Sequence, residues 1–134
     1  MNIIHKYCRT IAFLACGLVT SVSAQSTNKG TFEIKNEQFQ LNGQPFVYRA
    51  GEIHPSRVPK EYWRHRLQVL KAMGLNTVGI YLFWNQIELV PGKFNWTGQS
   101  DYPEFFRIAK EEGMWVIVRP GPYVCAEWDA GGHP

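Results

Sequence analysis

The spacing of apolar and polar positions changes near residue 46 of the chain. Before that point, residues 31–35 and 39–41 alternate between apolar and polar, and they precede Asn42-Gly43, a preferred dipeptide of tight turns. These positions predict a short β-hairpin. After that point, apolar runs of strand length alternate with segments of helical spacing, and the runs occupy residues 46–54, 76–84 and 114–122.

Two helices are predicted between the three apolar runs. In the first, Trp63, Leu67 and Leu70 recur at i, i+4 and i+7 and form one apolar face. The second is predicted to begin at Asp101, which with Glu104 has the spacing of a capping box. The second and third apolar runs are continuous, which is typical of strands buried on both faces of a parallel sheet.

Strands that alternate with helices at this spacing form βαβ units with a parallel sheet. A (β/α)8 barrel takes about 250 residues, whereas this chain has 134. We therefore expect residues 31–134 to be the N-terminal portion of a (β/α)8 TIM barrel, with about three βα units behind the hairpin. A complete three-stranded α/β domain is the alternative, and it would leave the edge of its third strand uncovered.

The first 24 residues have the pattern of a secretory signal peptide, with a basic start, apolar residues 11–19 and a cleavage-like Val22-Ser23-Ala24. The apolar run is too short to span a bilayer. An alternative makes Cys16 the lipid-modified first residue of an exported lipoprotein. Both hypotheses predict an exported protein, periplasmic or extracellular, in which residues 25–30 are a polar linker.

Charge and cysteine content narrow the classes of partner. The leader carries two bases and no acid, so its removal lowers the formal charge from +3 to +1, too little to favour nucleic acid or an anionic membrane. Cys8 and Cys16 leave with it, and Cys125 is then either buried or paired with a cysteine outside this sequence. The histidines and cysteines lack metal-site spacing, and no phosphate loop is present, so no metal or cofactor is expected.

Polar and aromatic side chains follow each predicted strand, where barrels of this kind carry their sites. They are Glu52 and His54 after the first strand, Tyr81, Trp84 and Asn85 after the second, and Cys125, Glu127 and Trp128 after the third. Planar aromatic rings stack on the apolar faces of sugars, whereas carboxylates and amides bond sugar hydroxyls. This mixture of side chains therefore favours a carbohydrate ligand.

A structural role is also open for each of these side chains. Tyr81 and Trp84 could be core residues, because aromatics in an apolar strand usually are. His54 could make a structural hydrogen bond. A carboxylate at the position of Glu127 is costly unless it is functional or paired, and Arg119 or Arg49 could form the ion pair.

Four ordered motifs carry a specific resemblance to a known family. "IHPSRVP", "YLFWN", "PGKFNW" and "RPGPYVCAEW" together resemble the N-terminal part of the catalytic barrel of glycoside hydrolase family 35, the β-galactosidases, over residues 31–134. The resemblance implies that Tyr81 contacts galactose and that Cys125, Ala126 and Glu127 line the same pocket, with the glutamate holding sugar hydroxyls. In some members the cysteine pairs with a later cysteine.

The resemblance also implies a retaining mechanism, in which two glutamate carboxyls lie about 5–5.5 Å apart. The family places the acid/base in an Asn-Glu pair at the end of strand four and the nucleophile at the end of strand seven. We expect both outside this sequence, so no catalytic residue is assigned. The expected function is part of a retaining exo-β-galactosidase for terminal β-D-galactose, inactive as residues 1–134 alone. Alternatives are a non-catalytic galactose-binding remnant and a relative that cleaves another β-glycoside.

Overall fold

The computed structural model describes residues 30–134. The predicted signal peptide, the lipoprotein alternative at Cys16 and linker residues 25–29 lie outside the described residues.

An antiparallel three-stranded sheet opens the described chain. Its strands are β1 (Phe32–Lys35), β2 (Gln38–Leu41) and β3 (Gln44–Pro45), paired in the order β1-β2-β3. Two-residue turns join them, and all four turn residues have positive φ: 52° and 61° at Asn36-Glu37, and 53° and 74° at Asn42-Gly43. This backbone twist suits tight hairpins, and it explains why asparagine and glycine occupy most of these positions.

A parallel sheet follows, and it contains β4 (Ala50–Glu52), β5 (Thr77–Tyr81) and β6 (Trp115–Arg119) in chain order. Its register pairs Glu52 with Gly79 and Tyr81 with Arg119. The strand, helix, strand order predicted from the apolar runs is therefore present as a mixed α/β fold.

Three helices connect these strands: α1 (Trp63–Ala72), α2 (Trp84–Ile87) and α3 (Tyr102–Glu111). The backbone amide of Glu104 donates to Oδ1 of Asp101 at 3.1 Å, so Asp101 caps α3 as its spacing predicted. The carboxylate of Glu104 pairs with Arg107 instead of closing the capping box. The short helix α2 was not predicted, because it lies directly after an apolar run that the pattern assigns to a strand.

The core lies between the parallel sheet and the two longer helices. Val78 and Ile80 of β5 are fully buried, as are Trp63, Leu67 and Phe105 on the helices. The rings of Trp63 and Phe105 meet edge to face with their centroids 5.5 Å apart. The apolar face predicted for the first helix therefore contributes two of the buried core side chains, and burial of these side chains is the main stabilising contribution here.

The third apolar run is less buried than its composition predicts. Trp115 is 48% exposed, Ile117 39% and Val118 40%, so within residues 30–134 β6 is not buried on both faces. Within residues 30–134, β6 pairs with β5 alone, whereas β5 has a strand on each side. An edge strand loses the cover that a second neighbour supplies.

The first apolar run also divides between the two sheets. Only its last part enters the parallel ladder as β4, because the backbone amide of Phe46 donates to the carbonyl of Phe39 in β2 at 2.8 Å. The ring of Phe46 packs on Trp115 with centroids 5.6 Å apart. The antiparallel sheet thus meets the amino ends of β5 and β6, around an apolar cavity of about 380 Å³. The carboxyl ends of the strands lie at the other end of the sheet.

No helix within residues 30–134 combines the length and apolar character needed to cross a bilayer.

Candidate functional site

Three polar side chains meet at the carboxyl ends of the parallel strands. The guanidinium of Arg119, the last residue of β6, forms an ion pair through Nη2 with Glu52 of β4. Its Nη1 donates to the hydroxyl of Tyr81, the last residue of β5, at 2.9 Å, and its Cζ lies 4.0 Å from the centroid of the Tyr81 ring. Arg119 therefore links all three strands on one face of the sheet.

Glycine at position 79 leaves room for this link. Gly79 pairs with Glu52 in the ladder and lies two residues before Tyr81. It is therefore on the same face of the sheet as both, on the strand between those that carry Glu52 and Arg119. A Cβ at Gly79 would lie 3.7 Å from Nη2 of Arg119. A longer side chain would compete with the guanidinium for this space, and glycine leaves Arg119 free to reach β4.

His54 lies beside the same carboxylate. Its Nε2 is 3.4 Å from Oε1 of Glu52, and its ring stacks near Tyr81 with centroids 5.7 Å apart. Burial lowers the pKa of His54; the Glu52 carboxylate opposes that shift, and the cations Arg57 and Arg119 add to it. The imidazole is therefore neutral near pH 7, and its buried Nδ1 has no hydrogen-bond partner among residues 30–134.

The loop after β6 is held by a second arginine. Nη2 of Arg57 donates to the backbone carbonyl of Ala126 at 2.6 Å and to that of Glu127 at 3.2 Å. The guanidinium also lies 4.9 Å from the centroid of the Trp128 ring, in cation–π contact. Glu127 has a positive φ of 48°, a conformation that non-glycine residues seldom adopt, and the two bonds from Arg57 brace it.

The carboxylate of Glu127 is exposed and has no ion-pair or hydrogen-bond partner among residues 30–134. Neither arginine considered for it supplies one, because Arg119 pairs with Glu52 and Nε of Arg49 donates to the carbonyl of Gly74. The expected desolvation cost is also absent, since the side chain reaches solvent. An unpaired carboxylate at a strand end is free to accept from a ligand.

Cys125 and Ala126 lie at the same strand end. Cys125 is a free, exposed thiol, so the predicted burial does not hold within the described residues, and pairing with a cysteine outside this sequence stays a prediction. Ala126 is half-buried, and its carbonyl is occupied by Arg57.

The other candidates from the sequence, Trp84, Asn85 and Trp128, form hydrogen bonds that hold the loops after β5 and β6. Nε1 of Trp128 donates to Oδ1 of Asn85 at 2.9 Å, and Nδ2 of Asn85 donates to the carbonyl of Asp129 at 3.2 Å. Nε1 of Trp84 donates to the carbonyl of Pro120. These polar groups are therefore engaged in positioning the backbone after β5 and β6.

A row of aromatic rings joins the two parts of the site. The distances between ring centroids are 5.7 Å from Tyr81 to His54, 5.5 Å from His54 to Phe83 and 4.1 Å from Phe83 to Trp128. Aromatic packing of this kind fixes ring positions as well as burying area. Tyr81 and the loop that carries Glu127 are thus connected through rigid side chains.

Metal-ligating side chains do not cluster in the part of the chain that the structure describes.

The Asn-Glu pair of residues 30–134 is not at the position that the resemblance implies for an acid/base. This pair, Asn36-Glu37, forms the turn between β1 and β2. That turn belongs to the antiparallel sheet, so the pair is not at the carboxyl end of a parallel strand.

Arg57 and Arg119 are the two site residues that the sequence pattern did not single out as functional. Arg119 could have been found, because a charge that directly ends an apolar strand must have a partner or face solvent. Arg57 had no such signal, since its two acceptors are backbone carbonyls 69 and 70 residues away.

Comparison with known proteins identifies the class of protein that carries this site. The family model described as glycosyl hydrolases family 35 matches residues 38–134. The chain belongs to this family, as its motifs predicted, and the family is a TIM-barrel family.

Individual relatives agree with this assignment. The chain is 42% identical to a β-galactosidase of Xanthomonas manihotis over 93% of its own length and 21% of that protein. It is 49% identical to a β-galactosidase of Bos taurus over 78% of its length and 16% of the relative. A β-galactosidase crystal structure from the psychrophilic Marinomonas ef1 matches 61% of this chain and 12% of that chain, with a TM-score of 0.52 and 24% identity; this likeness concerns the fold alone. The chain thus spans about a fifth or less of the length of these relatives.

Proposed function

We propose that the natural full-length protein is an exported, retaining exo-β-galactosidase that removes terminal β-D-galactose from glycans or oligosaccharides. In this proposal residues 31–134 form about three βα units of its (β/α)8 barrel. Family membership and the β-galactosidase relatives support the reaction class.

The galactose-binding part of the site is proposed to comprise Tyr81, Cys125, Ala126 and Glu127. The observation that carries this proposal is the convergence of Tyr81 and the braced Ala126–Glu127 segment at the same end of the parallel sheet. Glu127, whose carboxylate has no partner among residues 30–134, precedes Trp128, the last ring of the aromatic row. This segment therefore offers both types of contact that a sugar requires: an acceptor for hydroxyls and flat apolar surface.

Catalysis is proposed to depend on two glutamates that are not among residues 1–134. Glu52 is already committed to Arg119 and His54, and Glu127 is proposed to bind rather than react. Residues 1–134 alone are therefore expected to hydrolyse no β-galactoside. Turnover of a chromogenic β-galactoside by that polypeptide, abolished by a galactosidase inhibitor, would contradict this expectation.

The activity is tested by measuring kcat/KM of the natural full-length protein on aryl β-galactoside, β-glucoside and β-N-acetylglucosaminide. We expect the galactoside to be preferred by at least about tenfold, since contacts to individual hydroxyls discriminate strongly. Preference for another glycoside would identify a relative with a different sugar. Galactose binding without turnover would identify a non-catalytic binding protein.

The role of Glu127 is tested by Glu127→Gln, which keeps the shape and removes the charge. A fall in kcat/KM of about tenfold or more is expected, with an unchanged unfolding midpoint because the side chain is exposed. Glu61→Gln is the matched control, since Glu61 is exposed and lies on the turn before α1. Equal activities of the two variants would exclude a binding role for the Glu127 carboxylate.

Two further measurements test retention of the anomeric configuration and export of the protein. Proton NMR during the first turnovers should show the β-anomer of galactose before mutarotation, as double displacement requires. N-terminal sequencing of the exported protein should start at Gln25. A lipid-modified N-terminus at Cys16 would establish the lipoprotein alternative. An uncleaved protein that still carries residues 1–24 and is found inside the cell would exclude export.

A further inference from the structure

The contact between Arg119 and Tyr81 has a defined direction. A guanidinium carries five N–H donors and no acceptor, so at 2.9 Å the Tyr81 oxygen must accept from Nη1. A phenol has one hydrogen of its own to donate. Among residues 30–134 no group accepts that hydrogen, because Arg119 is the one hydrogen-bond partner of the Tyr81 hydroxyl there.

The position of Arg119 is itself fixed. Its other terminal nitrogen pairs with Glu52, its Cζ lies 4.0 Å from the centroid of the Tyr81 ring, and Gly79 has no side chain that would compete for the same space. The ion pair is partly exposed, with 41% and 42% of the two side chains accessible, so its contribution to stability is small. Its effect on geometry is larger, since three contacts leave the guanidinium little freedom.

We infer that Arg119, anchored by Glu52, is a positioning residue that donates to the Tyr81 oxygen from one side and so directs the Tyr81 hydrogen towards a sugar oxygen. This inference rests on the proposed function and deepens it. Tyr81 then gives a hydrogen to one oxygen of the sugar, whereas the Glu127 carboxylate takes hydrogens from others. The two contacts have opposite polarity, and together they distinguish hydroxyls that a single kind of contact would treat alike.

Substrate analogues test the polarity of the Tyr81 contact. Each hydroxyl of an aryl β-galactoside is replaced in turn by hydrogen, which neither donates nor accepts, or by fluorine, which accepts weakly and cannot donate. The ratio of kcat/KM for the fluoro and deoxy analogues is then compared between enzyme variants, so the intrinsic reactivity of each analogue cancels. At the hydroxyl that receives a hydrogen from Tyr81, this ratio should be higher in the unmodified enzyme than in Tyr81→Phe.

At one ring position we expect this ratio to be higher in the unmodified enzyme than in Tyr81→Phe, and to fall to the Tyr81→Phe value in both Arg119→Gln and the double variant that combines Arg119→Gln with Tyr81→Phe. On the parent galactoside, Arg119→Gln should lower kcat/KM by about tenfold or more, and the double variant should be no worse than Tyr81→Phe. A merely structural role would lower activity on all analogues equally and leave the ratio unchanged. Arg66→Gln is the control, because Arg66 is an exposed arginine of α1.

Glu52→Gln provides a second test that leaves Arg119 in the chain. It should move the same ratio in the same direction by a smaller factor, and it keeps the test decisive if Arg119→Gln does not fold. Ratios in both variants equal to the unmodified enzyme's, or additive losses in the double variant, would overturn the positioning role alone. Absence of hydrolysis by the unmodified enzyme would overturn the proposed function, and this inference with it.

Discussion

The parallel sheet presents two faces with opposite character. One face meets α1 and α3, and its side chains Val78 and Ile80 are completely buried. The other face carries the pair formed by Glu52 and Arg119 at the strand ends, where more than a third of each side chain reaches solvent. Successive residues of a strand point to opposite faces. Ile80 is therefore buried in the core, whereas its neighbour Tyr81 contacts Arg119 on the other face. The buried core lies on one face, and the residues proposed to bind the sugar lie at the strand ends beside the other.

The largest effect is expected on the helix-covered face. Phe105→Ala removes a fully buried ring that packs on Trp63, and it should lower the free energy of unfolding by about 3–5 kcal/mol. The measurement is the urea midpoint of the natural full-length protein. Met73→Ala is the control, since Met73 is 70% exposed and its loss should change stability by less than about 0.5 kcal/mol.

Two glycines on opposite faces give a matched comparison. A Cβ on Gly51 would lie 2.8 Å from methyl carbons of both Leu70 and Leu75, whereas a Cβ on Gly79 would lie 3.7 Å or more from its neighbours. Gly51→Ala should therefore destabilise by about 1–2 kcal/mol. Gly79→Ala should stay within about 0.5 kcal/mol of the unmodified protein. Thermal unfolding midpoints measure both, and equal shifts would show that the faces are not packed differently.

A smaller effect is expected on the site face. Arg57→Ala removes both bonds to the loop carbonyls and the contact with Trp128, which frees the strained backbone of Glu127. Since the proposed binding carboxylate would lose its fixed position, kcat/KM on a β-galactoside should fall about tenfold. Arg66→Ala serves as the control. Unchanged kinetics in Arg57→Ala would mean that the loop holds its shape without the guanidinium.

The smallest effect concerns His54 and pH. Burial holds the pKa of His54 below its ordinary value, which is about 6.5 in an unfolded chain. As pH falls below about 6.5 the unfolded state binds more protons than the folded state, so stability decreases until pH reaches the folded pKa. The unfolding midpoint between pH 7 and pH 5 should therefore drop less in His54→Gln than in the unmodified protein. His65→Gln, at an exposed position of α1, should follow the unmodified curve.

The order of the elements was predictable from the chain because it depends on local periodicity. Trp63 and Leu67 repeat at helical spacing, and both are in the core; Asp101 caps α3 through its own side chain. An open edge at the third strand was foreseen, but composition alone did not predict how far its side chains are exposed. Composition reports how apolar a strand is, whereas burial depends on what lies beside it, and β6 has one neighbour within residues 30–134.

The candidate site divides in the same way. The motifs pointed to the family, and the resemblance implied Tyr81, Cys125, Ala126 and Glu127 as site residues. The rule that sites lie at the carboxyl ends of parallel strands selected Tyr81, Cys125 and Glu127 independently. Whether these four residues bind galactose stays a prediction. The engaged roles of Trp84 and Asn85 could not be read from the chain, since their hydrogen-bond partners lie 36 and 44 residues away.

The sequence by itself determined the family, the alternation of strands and helices, and which residues come at the strand ends. Only the tertiary structure decided which charges meet: Arg119 pairs with Glu52, the Glu127 carboxylate has no partner among residues 30–134, and Arg57 braces the loop. The physical reason is that periodicity acts over a few neighbouring residues. The choice of an ionic or hydrogen-bond partner depends on distance and direction in space, and folding alone brings residues so far apart in the chain within reach of one another.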